Sequence, residues 1–266
     1  MSTIRVVVAG ASGRMGQEVV KMIAKEEEFS LVGATSRSFS GQDVGEVAGI
    51  RTLNVLLSEC LETTLIKTRP DVLVDFTVPE VVRKNIEMAL DLGVRPVVGT
   101  TGLSETDLEH LAAQARKKEI GAVIAPNFAI GAVLMMRFAA QAARYLPDVE
   151  IIEMHHDQKL DAPSGTALKT AQLISAQRKE KKQGNPEEKE LLTGARGGYV
   201  DGFRIHSVRL PGLIAHQEVL FGGPGQTLSI RHDSIHRESF MPGVRLAIHK
   251  VMTLDHLVYG LENLLD

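Results

Sequence analysis

The 266-residue chain has no tryptophan, three tyrosines and one cysteine, Cys60. A single cysteine excludes an intramolecular disulfide and a multi-cysteine metal site, and it fits a reducing compartment. There is no basic block. Thirty Lys and Arg stand against 33 Asp and Glu, a net charge of −3 with His neutral, which argues against nucleic acid as a partner. No apolar run reaches the roughly 18 residues of a membrane span, so no membrane partner is expected. The opening MSTIRVVVAG is too short and too interrupted by Arg5 and Gly10 for a secretory signal. A cytoplasmic protein is the expectation. What is present is an ordinary hydrophobic share of 44%, enough for one large core or two modest ones.

The first half alternates strand and helix patterns. Ile4 to Ala9 reads as a buried strand, and Val19, Val20, Ile23 and Ala24 form one helical face. Leu31 to Ala34, Val72 to Phe76, Pro96 to Val98 and Ala122 to Ala125 read as further strands. Thr77-Val78-Pro79-Glu80 has the form of a capping box, and Ser104 to Asp107 opens another helix. Glu26-Glu27-Glu28 reads as solvated surface. This alternation predicts an α/β fold, a Rossmann-like doubly wound parallel sheet with helices on both faces. After Gly131 the texture changes. Helical stretches (Gly131 to Leu146, Gly165 to Gln177) flank a strand at Val149 to Met154. The charged Lys179 to Lys189 reads as a solvated loop. Short strands near Phe203 to Leu210, Gln217 to Phe221 and Thr227 to Arg231 follow, and the tail from Phe240 is helical. That pattern predicts a C-terminal α+β domain with a mixed sheet.

Two segments carry chemistry. Gly10, Gly13 and Gly16 follow the first strand in the spacing G-x-x-G-x-x-G. A sharp turn onto a helix N-terminus lets a pyrophosphate approach the backbone, and Arg14 adds charge there. The second strand ends Thr35-Ser36-Arg37. An acid at this place would read a ribose 2′-hydroxyl, whereas a cation accommodates a 2′-phosphate, so Arg37 points to NADPH with NADH possible. The loops Gly99-Thr100-Thr101 and Ala125-Pro126-Asn127-Phe128 stand at later strand ends, where open parallel sheets bind ligands.

The second segment is HHDQKLDAPSGT, His155 to Thr166. Imidazole exchanges protons near neutral pH, Lys159 is a nearby cation, and Ser164-Gly165-Thr166 opens a helix whose amides suit a carboxylate. Adjacent strand residues face opposite ways, so His155 and His156 do not chelate one metal, and no metal is expected. Acid–base work on a small anionic substrate is the sharper reading.

The segments GASGRMG, DFTVPE, VVGTTG, APNFAIG and EMHHDQKLDAPSGTAL run in this order over residues 10–168. Together they resemble the dihydrodipicolinate reductase family. The resemblance implies a dinucleotide-binding domain at 1–126 with 239–266, and a substrate-binding and oligomerisation domain at 127–238, in a homotetramer. It implies reduction of a cyclic dicarboxylate, 4-hydroxy-tetrahydrodipicolinate, by NAD(P)H with loss of water, on the diaminopimelate route to lysine. Carried onto this chain, His155 is the proton donor or acceptor and Lys159 a second donor. His156, Gly165 and Thr166 bind substrate. Gly10, Ala11, Ser12, Gly13, Arg14 and Met15 hold the cofactor, with Gly99, Thr100, Thr101, Ala125, Pro126, Asn127 and Phe128, and Arg37 meets its adenosine end. Some family members place an acid where this chain has Ser36. Two alternatives stay open, another two-domain dehydrogenase of amino-acid pathways and a noncatalytic NADP-binding sensor. The tandem histidines argue against the first. A semialdehyde dehydrogenase in particular would need a cysteine in the substrate half, where Cys60 is not. The presence of both His155 and Lys159 argues against the second.

Overall fold

The computed structural model describes residues 3–179 and 181–265, so Glu180 of the charged 179–189 segment lies outside the described residues. The chain divides into two compact units, Met1–Phe128 with Phe240–Asp266, and Ala129–Ser239.

The first unit opens with β1 (Ile4–Ala9), α1 (Arg14–Lys25) and β2 (Phe29–Thr35). Next come α2 (Val44–Val47), β3 (Leu57–Ser58), α3 (Leu61–Thr68), β4 (Val72–Asp75) and α4 (Pro79–Asp91). Then follow β5 (Arg95–Val98), α5 (Glu105–Lys118) and β6 (Ala122–Ile124). The second unit contributes α6 (Ile130–Ala142), β7 (Asp148–His155), α7 (Gly165–Ser175) and β8 (Gly198–Val200). It continues through β9 (Phe203–Arg209), β10 (Ala215–Gly223) and β11 (Gln226–Ser234). The chain then returns to the first unit as α8 (Met241–Val251) and β12 (Leu257–Tyr259).

The first sheet is parallel, in the order β12-β6-β5-β4-β1-β2-β3. Its central strands are apolar on both faces because helices cover both. Val6, Val7, Val8, Val72, Leu73 and Val74 are fully buried. From β1 the chain winds one way through β2 and β3. It then restarts at β4 on the other side of β1 and winds outward. The β1–β4 junction is therefore the switch point, where strand carboxyl ends open a crevice.

Three expectations change here. Thr77 to Glu80 forms no capping box: Val78 is the N-cap without a side-chain bond, and Pro79 begins α4. The helix begins one residue too late for Thr77 to cap it, and the Thr77 hydroxyl donates to Asp75 Oδ1 at 2.6 Å instead. The reciprocal box instead opens α5, between Ser104 and Asp107. The acidic run before β2 is more than solvated surface, because Glu28 accepts from Arg245 Nε at 2.7 Å and pairs with His249 at 3.0 Å. The tail is not only helical, since β12 pairs with β6 at the sheet edge.

The second sheet is mixed, in the order β11-β10-β7-β9-β8, with β7 parallel to β9 and antiparallel to β10. Strand periodicity sets its inner face. Val149, Ile151 and Glu153 of β7 are buried beside Phe203 and Ile205 of β9 and Val219 and Phe221 of β10. A carboxylate therefore sits at an apolar position of the central strand. The described part of the charged 179–189 segment is nearly all exposed, yet Gln183 fastens it along β7. Its side chain bonds Val149 N at 2.9 Å and Val149 O at 2.7 Å.

Candidate active site

In the first unit, β1 ends in the glycine turn. Gly10 has φ +75°, and a Cβ there would stand 2.6 Å from Phe76 O, so only glycine fits the turn beside β4. Gly13 caps α1 without any side-chain bond, and Arg14 is exposed beside it. The first-turn amides of a helix lack acceptors within their own ladder, so this terminus suits a phosphate. At Gly16 a Cβ would fall 2.1 Å from Gly10 O, which lets α1 approach the turn closely. Gly16→Ala is expected to destabilise the unit by about 1–3 kcal/mol through overpacking and to weaken nucleotide binding. Thermal denaturation and a binding titration check this, and wild-type values in both would contradict it.

The turn opens onto a cavity of about 410 Å³ whose lining includes Gly10, Ser12, Gly13, Ser36, Arg37 and Glu59. The other expected cofactor residues, Ala11, Arg14, Met15, Gly99 to Thr101 and Ala125 to Phe128, are outside that lining. Ala11 is buried under the turn, and the two later loops stand at the ends of β5 and β6. Asp75 ties the β4 and β5 loops together. Fully buried, it accepts from Thr77 N at 2.9 Å, Thr100 Oγ1 at 3.1 Å and Asn85 Nδ2 at 2.7 Å. The Phe76 and Phe128 rings lie 5.8 Å apart, which brings the ends of β4 and β6 close. Sequence reasoning missed Asp75 as an organiser. A buried acid at the last position of an apolar strand was the available signal.

In the second unit, β7 delivers His155 at its carboxyl end, next to Arg209 at the end of β9. Glu153 is the hub. It has no exposed surface, and its carboxylate takes a forked pair of bonds from Arg209 at 2.8 and 2.9 Å, the Ser164 amide at 3.2 Å and His155 Nδ1 at 2.5 Å. Burial alone would raise its pKa. The bonds from His155 and Arg209 outweigh that and hold it at about 2. The carboxylate is thus charged at neutral pH and can only accept, so Nδ1 carries the proton and Nε2 is the imidazole nitrogen left for chemistry.

The same hub positions the rest. Ser164 is the N-cap of α7, so its bond to Glu153 sets the helix terminus beside His155. Gly165 and Thr166 begin that helix. A Cβ at Gly165 would meet nothing within 4 Å, so the chain itself leaves the space before it open. Lys159 lies in the turn between β7 and α7, its ammonium 2.6 Å from Asp161, whose carbonyl accepts from Arg209 at 2.7 Å. His156 is half-buried one residue past the strand. Glu153 and Arg209 were not found from the sequence. The acid at a buried period-2 position was legible in principle, but its partner lies 56 residues away. Among the described residues no group of three or more His, Cys, Asp or Glu could hold a metal ion. No helix of those residues is long and apolar enough to cross a membrane.

A Rossmann-type unit with a glycine turn onto an uncapped helix N-terminus, and a second unit presenting an oriented histidine and a lysine, define a two-domain oxidoreductase. Residues 4–128 match the family described as dihydrodipicolinate reductase, N-terminus, and residues 131–265 its C-terminal counterpart. The chain belongs to the dihydrodipicolinate reductase family. It is 59% identical over 264 residues to a Bacillus velezensis protein named 4-hydroxy-tetrahydrodipicolinate reductase, covering 99% of this chain and 98% of that one. A Geobacillus kaustophilus protein of the same name is 57% identical, covering 99% and 100%. The solved dipicolinate-bound dihydrodipicolinate reductase from Paenisporosarcina sp. TG-14 superposes with a TM-score of 0.90 at 51% identity, covering 99% and 100%. An amine dehydrogenase from Mycobacterium smegmatis, at 17% identity and TM-score 0.67 over 97% and 95% of the two chains, shares the fold.

Proposed function

We propose that this protein reduces 4-hydroxy-tetrahydrodipicolinate to tetrahydrodipicolinate with a reduced pyridine nucleotide, a step of diaminopimelate and lysine biosynthesis. The observation that carries the reading is the buried Glu153 clamp, which joins His155 and the start of α7 in one rigid unit. Its support among relatives is the shared name of the Bacillus and Geobacillus proteins and the dipicolinate held by the Paenisporosarcina one. A cytoplasmic homotetramer belongs to the same reading, as does the division of labour in which residues 1–126 with 239–266 hold the cofactor and 127–238 the substrate.

The first unit fits a dinucleotide. No side chain can enter the turn at Gly10, and the uncapped α1 terminus accepts phosphate. Gly10 to Met15 hold the pyrophosphate, Arg37 the adenosine end, and Gly99 to Thr101 with Ala125 to Phe128 the nicotinamide end. When bound, the reduced nicotinamide supplies a hydride. The chain's own residues do the rest. The α7 terminus at Gly165 and Thr166 binds one substrate carboxylate, and His156 faces the other. Lys159 donates a proton from Nζ to the ring or to the departing hydroxyl, and His155 exchanges one at Nε2. Glu153 keeps the imidazole in the tautomer this requires and stabilises its charged form.

Arg37 makes NADPH at least as good a cofactor as NADH in this reading. Arg37→Ala is expected to lower kcat/KM for NADPH about ten-fold, the size of one lost charge-assisted contact, and to spare NADH. Steady-state rates with both cofactors test this, and equal losses with the two would contradict it.

A further inference from the structure

The second strand carries no acid where a ribose is read, yet the fold supplies one from the neighbouring strand. Strand β3 runs parallel to β2 with Thr35 opposite Ser58, and Ser36 N bonds Ser58 O at 2.9 Å. The next residue, Glu59, thus emerges beside Ser36 and Arg37. Among the residues lining the cavity at the glycine turn, Glu59 is the one acid and Arg37 the one base. Both are exposed, and among the described residues neither makes a side-chain hydrogen bond or ion pair. Opposite charges that share a cavity without pairing are both available to a ligand. The Ser36 hydroxyl, by contrast, is engaged by Ser12 Oγ at 2.5 Å and by Ser38 N at 3.1 Å.

We propose that Glu59 is a specificity-determining residue for the cofactor, accepting the adenosine ribose 2′-hydroxyl of NADH and opposing the 2′-phosphate of NADPH. The inference rests on the cofactor reading above and adds to it a second, opposing determinant. A carboxylate accepts a hydroxyl proton in a charge-assisted bond. Facing a 2′-phosphate, the same group is a like charge, which Arg37 in the same cavity lining offsets. The pair thereby keeps both cofactors usable, and each member pulls the preference its own way.

The test is the ratio of kcat/KM for NADPH to that for NADH in the full-length protein, measured for wild type, Glu59→Gln and Glu62→Gln. Glu62 is an exposed acid on α3, outside the cavity lining, and its loss changes net charge equally. Glu59→Gln is expected to raise the ratio about ten-fold, as KM for NADH rises and KM for NADPH falls. The shift should shrink in high salt for the phosphate arm. Glu62→Gln should leave the ratio at its wild-type value. If wild type turns over with both cofactors and Glu59→Gln leaves the ratio unchanged, the inference fails and the cofactor reading stands. An equal shift from Glu62→Gln would make the effect one of net charge and also overturn it. A wild-type protein that oxidises neither cofactor would remove the cofactor reading itself, and the inference with it.

Discussion

Lys159→Ala is expected to lower kcat by about 10²–10⁴, the usual worth of a positioned proton donor, and His155→Gln by a similar factor. Both side chains are set in place by the same network. His155 hangs from Glu153, and Lys159 reaches Asp161, whose carbonyl is tied to Arg209. Both belong to the second unit and the glycine turn to the first, so NADPH affinity should stay at its wild-type value in both variants. Pyridine-2,6-dicarboxylate should compete with substrate, because it presents two carboxylates on a flat ring. Its binding should weaken in Lys159→Ala, where a cation is lost. Full activity in both variants would remove these residues from the chemistry.

Glu153 carries the second large effect, on stability as well as on rate. Glu153→Ala leaves the half-buried Arg209 guanidinium without its carboxylate, and the buried Arg209 Nε already lacks a partner. Breaking such a pair costs about 3–5 kcal/mol. Glu153→Gln keeps the side-chain volume and one of the two acceptor oxygens and should cost less, so it serves where the alanine variant does not fold. The pH dependence has a definite sign. The carboxyl sits at about 2 in the fold against its ordinary 4.5. Its contribution, roughly 3 kcal/mol, is therefore full above pH 4.5 and is lost as pH falls towards 2. The stability gap between wild type and Glu153→Gln should narrow over that window in denaturant titrations. A gap that stays constant from neutral pH down to the acid limit would show that the charge of Glu153 is not what stabilises the fold.

Much of this architecture was legible because its signals are local. The apolar run of β1 with three glycines at fixed spacing announces a strand, a turn and a helix in one stretch. In the second unit, the change from helical periodicity to short strands broken by Gly and Pro foretells the mixed sheet. Residues 43–58 were harder. They hold a four-residue helix and a two-residue strand, too short for any period to develop. What organises them is one buried side chain. Asp43 accepts from the amides of Gly45, Glu46, Leu53 and Val55, bonds that span up to 12 residues. Strand β12 was missed for a similar reason, because three residues after a helix pair with β6 only through tertiary contact. Thr77 had the right spacing for a cap, but α4 begins one residue later with Val78 as its N-cap, a one-residue offset that sequence spacing does not register.

The candidate site divides the same way. His155, Lys159 and Gly165 stand within one segment, so their grouping could be read directly. Their orientation could not. It depends on buried Glu153 and half-buried Arg209, a pair formed across two strands far apart in the chain. Similarly, Glu59 reaches the cavity only because β3 lies beside β2.

The most direct test of the account is isotope transfer. Purified protein is given 4-hydroxy-tetrahydrodipicolinate and NADPH deuterated at the transferable nicotinamide position, and the product is analysed by mass spectrometry and NMR. The account requires tetrahydrodipicolinate carrying one deuterium on a ring carbon for each cofactor oxidised, with water released. Unlabelled product, or no oxidation of either deuterated NADPH or deuterated NADH, would contradict it.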